Sequence, residues 1–107
     1  MIRYIGLKNL RPLQIKEVEE ISERNFDRIR RDFKDATLVV YIKKQDRLGK
    51  PMFSVNLRLD DASIRNILLA KETDWDLPRV MHKVFVNLSN EISHKFKTDV
   101  TRKSYKK

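Results

Sequence analysis

The chain has no cysteine, which excludes disulfides and thiolate metal sites and fits a reducing compartment. Long apolar runs are missing as well. The longest, residues 38–42 and 67–70, fall far short of the roughly 20 residues that a membrane-spanning helix needs. Met1-Ile2-Arg3-Tyr4 has neither the apolar core nor the small-residue cleavage site of a secretory signal, so a cytoplasmic location is expected. Only two glycines and three prolines occur, and they stand where elements should end. Gly6 and Pro12 flank a short loop, Gly49-Lys50-Pro51 reads as a turn, and Pro78 lies near a helix start.

What is present is charge. Of 107 residues, 36% are charged and 40% hydrophobic, enough apolar material for one core beneath a densely ionised surface. The net charge of +9 and pI near 10.0 attract polyanions, whether RNA, DNA or anionic lipid. A single domain over residues 1–97 is expected, followed by a basic, flexible tail over 98–107.

Hydrophobic periodicity orders the elements. Residues 2–7 mix β-branched, aromatic and apolar side chains and read as a strand. Over 13–34, Ile15, Val18, Ile21, Phe26, Ile29 and Phe33 recur at helical spacing, with glutamates early and arginines late to suit the helix dipole. Residues 37–43 read as a buried central strand, and 53–59 alternate apolar with polar as a strand with one wet face. Residues 46–51 join them as a hairpin. Asp60-Asp61-Ala62-Ser63 makes the next turn and 64–73 a further strand.

Asp76 stands as an N-cap before a second helix, where Leu77, Met81, Val84, Phe85, Leu88, Ile92 and Phe96 keep the three/four spacing. Trp75, at the strand-to-helix junction, is expected to plug the end of the core, with base stacking as the alternative. The order β-α-β-β-β-α predicts an α+β fold: a four-stranded mixed sheet, its first two strands parallel, with both helices on one face.

Function is sought on the helices' outward sides. Arg24, Arg28 and Arg31 form a row on the first. Arg79, Lys83, Asn87, Asn90, His94 and Lys97 form one on the second, and Arg102 and Lys103 add charge in the tail. If the helices lie side by side, the two rows make one surface for phosphates, which guanidinium groups bind in a planar fork. Ordinary solvated helix faces are the plainer alternative.

Residues 95–107 hold six basic residues and one acid, a net +5 (6 − 1), whereas 76–94 balance Arg79 and Lys83 against Asp76 and Glu91. Affinity should therefore lean on the end of the first helix and on the tail. Catalysis is not expected. His82 and His94 are too far apart to be a one-turn zinc pair, Asp74-x-Asp76 is better explained by capping than by magnesium, and Asp60-Asp61 by a turn. No cofactor, metal or small-molecule substrate is expected. Tyr41 and Met52, beside Val39, are placed on the sheet's open face as an apolar patch, for partial packing, for a dimer surface or for stacking on single strands.

Two local patterns carry a resemblance. Phe26-x-x-Ile29-x-x-x-Phe33 runs directly into the 38–42 strand, and Asp76-Leu77-x-x-Val80-Met81-x-x-Val84-x-x-x-Leu88-x-x-x-Ile92 follows later. With the element order, they resemble the ribosome hibernation-promoting factor / ribosome-associated inhibitor A (protein Y) family. The resemblance implies a fold akin to a double-stranded-RNA-binding domain with an extra first strand. It also implies docking in the small ribosomal subunit's channel, on ribosomal RNA, to silence translation by idle ribosomes under stress. Asn87, Asn90 and His94 stand where that family tends to place lysine or arginine, as does Asn25, whereas Arg28 matches; Pro78 replaces an aromatic residue. A general structured-RNA binder and a protein-interaction domain using the open sheet face are the alternative functions.

Overall fold

The computed structural model describes residues 1–61 and 67–105, with side chains except for Arg47 and 96–105. The elements run β1 (Ile2–Ile5), α1 (Pro12–Asp32), β2 (Thr37–Arg47), β3 (Lys50–Asp60), β4 (Leu68–Asp74) and α2 (Leu77–Tyr105), with a 3-10 turn at Leu7–Asn9. The sheet order is β1-β2-β3-β4, with β1 parallel to β2 and the other pairs antiparallel. This is the α+β architecture that the order of periodic segments predicts.

Alternation fixes the faces. Leu38, Val40 and Ile42 of β2 and Phe53, Val55, Leu57 and Leu59 of β3 are buried on one side. Val18, Phe26 and Ile29 of α1 and Met81, Val84, Phe85 and Leu88 of α2 complete that core. Each leucine buried here contributes about 1.5–3 kcal/mol relative to exposure, so the pattern that defines the elements also holds them together. α1 starts at Pro12, whose missing N–H costs nothing there, and the Gln14 Oε1 accepts the Arg11 N–H at 2.9 Å. α2 starts where Asp76 Oδ1 accepts the Arg79 N–H at 3.1 Å, so Asp76 is the expected cap.

Several boundaries differ from the sequence reading. The hairpin tip is Leu48-Gly49, with φ of 54° and 77°, and Lys50 and Pro51 already belong to β3. A two-residue, left-handed tip matches the twist of the strands it joins. Pro51 is tolerated because β4 pairs with β3 only from Phe53 onward, leaving Pro51 beyond the last β4 rung. β4 begins at Leu68; the part of that prediction falling on residues 62–66 lies outside the described residues.

α1 has no acid in its first turn, so only its C-terminal end, with Arg30 and Arg31, matches the dipole argument. Trp75 is 46% exposed and does not plug the core; Leu77, 3% exposed, does. The residues expected to form a tail continue α2 to Tyr105. No glycine or proline follows Pro78, and extending a formed helix costs far less than nucleating one.

Candidate nucleic-acid interface

On α1, Arg24, Arg28 and Arg31 are exposed on the side opposite Val18, Phe26 and Ile29. Three residues over two turns share a face because 3.6 residues complete a turn. Among the described residues no carboxylate pairs with any of the three, so their donors face outward uncommitted. Arg30 lies with its guanidinium 6.0 Å from the Phe26 ring centroid, in cation–π range.

A groove of about 210 Å³ runs between the helices, lined by Asn25, Arg28 and Asp32 of α1 and Ser89 and Ser93 of α2, with Phe33, Phe85 and Ile92 among the apolar residues of its lining. Asn25 Nδ2 donates to the Ile21 carbonyl at 2.8 Å, which turns its amide oxygen toward other partners. Arg28 thus offers a fork to an anion, while the serine hydroxyls and the Asn25 amide offer neutral hydrogen bonds. Asp32 limits the positive potential at one end.

The second predicted row lies elsewhere. Arg79, Lys83, Asn87 and Asn90 line a separate hollow of about 550 Å³ on the side of α2 toward β4, together with Glu72, His82 and Val86. The two predicted rows therefore flank α2 rather than meeting over the groove. The reason is angular: the residues of α2 that face α1 are Ser89 and Ser93, well around the helix from Lys83 and Asn87.

Two members of that row are engaged by the fold itself. Lys83 Nζ lies 2.7 Å from Asp74 Oδ2, and Asn87 Nδ2 donates to the Lys71 carbonyl of β4 at 3.4 Å. Asp74 also accepts the Asp76 N–H through Oδ1 at 3.0 Å. The Lys83 hydrogen bond, then that backbone N–H, hold the Asp74 carboxyl below its ordinary pKa. Arg79, Asn90 and His94 are exposed. Lys97, Arg102 and Lys103 ride on the last turns of α2, where only the backbone is described.

Sequence reasoning missed Ser89 and Ser93 as groove residues. The available signal was their i, i+4 spacing beside Phe85 and Ile92, since small polar residues bordering an apolar stripe let a neighbouring helix approach. It also missed the charge on the sheet's other side. Tyr41, 46% exposed, and Val39 do lie on the open face with Met52, but Arg3, Lys43, Arg58 and Lys71 share it and are exposed.

Among the described residues no helix is long and apolar enough to cross a membrane. No family model matches the chain. No curated protein matches it either.

Proposed function

We propose that this protein is a non-catalytic, cytoplasmic RNA-binding domain that docks on ribosomal RNA of the small subunit and silences translation, as a hibernation factor does. The observation that carries this reading is the exposed row Arg24, Arg28 and Arg31, of which Arg28 lines the interhelical groove, without intramolecular carboxylate partners among the described residues. Guanidinium groups left unpaired by the fold are available to phosphate, and each phosphate neutralised releases counterions and adds affinity. The net +9 and the basic run carried on the end of α2 support the same reading.

A specific observation favours a second reading, a structured-RNA binder outside the ribosome. Lys83 and Asn87, two members of the row expected on the second helix, are engaged with Asp74 and the Lys71 carbonyl. Cosedimentation with small ribosomal subunits separates the two. The wild type is expected to pellet with subunits and to inhibit a purified translation system. Neutralising Arg24, Arg28 and Arg31 together, or truncating after Phe96, should release it. Migration free of subunits at modest salt, or competition by naked duplex RNA as strong as by subunits, favours the second reading.

A further inference from the structure

Among the described residues no element covers the sheet face away from the helices, and the strand register places its side chains in rows. Arg3, Val39, Arg58 and Leu69 stand side by side across all four strands, followed by Ile5, Tyr41, Asn56 and Lys71, then by Lys43, Ser54 and Thr73. These three rows carry four cations and no carboxylate. Tyr41 is 46% exposed, Leu69 65% and Ile5 42%, so a half-open aromatic ring stands among aliphatic groups and flanking positive charge. Beside Tyr41 the surface dips into a hollow of about 410 Å³, bounded by Asn56, Arg58, Leu69 and Lys71.

We propose that this face binds a single nucleic-acid strand, with one base stacked on Tyr41 in the hollow and phosphates on Arg58 and Lys71. Single strands need what this face combines: a flat apolar or aromatic surface for unpaired bases and cations that follow the backbone. Asn56 adds a donor and an acceptor within reach of a base edge. Charge complementarity selects this occupant over a second copy, because two such faces would bring eight cations together against only the Asp60 carboxylate that each carries in the neighbouring row. The hollow favours an inserted planar group over the smooth surface of a bilayer. The proposal does not depend on ribosome docking, since it uses the opposite side of the sheet from the arginine row on α1.

Fluorescence anisotropy with a short oligouridylate, an oligothymidylate of equal length and an RNA duplex tests it on the full chain. Wild type is expected to bind at least one of the single strands. Tyr41→Ala should weaken that binding about tenfold, within the range of a lost base–aromatic stack, and leave duplex binding unchanged, while Tyr41→Phe retains it. Arg58→Gln with Lys71→Gln should lower the salt slope for the single strand by about 1.4, about 0.7 for each phosphate. All these side chains are exposed, and thermal melts check that the variants fold. The proposal is overturned if neither single strand binds, if Tyr41→Ala and the Arg58/Lys71 pair leave binding unchanged, or if neutralising Arg24, Arg28 and Arg31 abolishes single-strand binding as fully as duplex binding. Binding to anionic phosphatidylserine vesicles with no binding to either oligonucleotide overturns it as well.

Discussion

Gly6 shows most directly how one residue constrains this fold. Its φ is 95°, in the left-handed region, and a Cβ there would overlap the carbonyl oxygen of Ile42 in β2. Only glycine lets the chain leaving β1 pass that close to its parallel neighbour. Gly6→Ala combines backbone strain with a collision against a backbone atom, so a loss of about 2 kcal/mol or more is expected. Urea unfolding measures it, and an unchanged midpoint would contradict the account. Gly49, also left-handed, has open space around its Cβ position, so the same substitution there meets strain alone. A third residue, Ser22, is fully buried with its Oγ lacking a hydrogen-bond partner, and the buried Tyr4 hydroxyl is in the same state. Burial raises the Tyr4 pKa, and the charges of Glu23 and Glu19 act in the same direction.

Among the elements, the junction between β4 and α2 is tied by the Asp74 carboxylate beside the Asp76 cap. Asp74 closes the turn to Asp76 and clasps Lys83 in the second turn of α2. Because the folded pKa lies below the ordinary value of 3.8, ionised Asp74 contributes stability above about pH 4. That contribution is lost as pH falls through the lowered folded value. Asp74→Asn should therefore be less stable than wild type at neutral pH, and the difference should shrink on acidification below about pH 4. Paired thermal melts from pH 7 to pH 2 check this; a gap that stays constant with pH would contradict it. The same clasp explains why Lys83 is a poorer candidate for phosphate than Arg28. Its ammonium already has a partner, and the Asp74 side chain is only 9% exposed.

At the scale of the whole molecule, the charge is distributed over separate surfaces. One cluster lies along the exposed side of α1 and one across the open sheet face, and the sequence adds a basic run over 95–107. Since Arg24, Arg28 and Arg31 have no carboxylate partners among the described residues, their joint change to Gln should leave stability within about 0.5 kcal/mol per site. It lowers the net charge from +9 to +6 (9 − 3) and should reduce the salt slope of duplex-RNA binding by about 0.9 for each phosphate no longer neutralised. Urea unfolding and a salt titration of duplex binding read the two effects. Loss of stability together with affinity would show the arginines to be structural.

Much of the fold was legible in the order of residues. Strict alternation in 53–59 and three/four spacing in α1 and α2 state which side chains must leave water, and the structure buries those sides. Less of the site was legible. The α1 row follows from helical geometry alone, but the expectation that both rows would meet required knowing how α2 is rotated against α1. Packing decides that rotation, and it turns Ser89 and Ser93 to the groove and Lys83 and Asn87 toward β4.

Charge count and periodicity are local properties of the chain, so the basic surface, the element order and the identity of the buried faces follow from the order of residues alone. Which cations remain uncommitted and which neighbours share a surface follows instead from how the elements pack. Pairing Asp74 with Lys83, aligning Arg3, Arg58 and Tyr41 across strands far apart in sequence, and turning one helix against another are long-range outcomes of packing. No window of neighbouring residues encodes them.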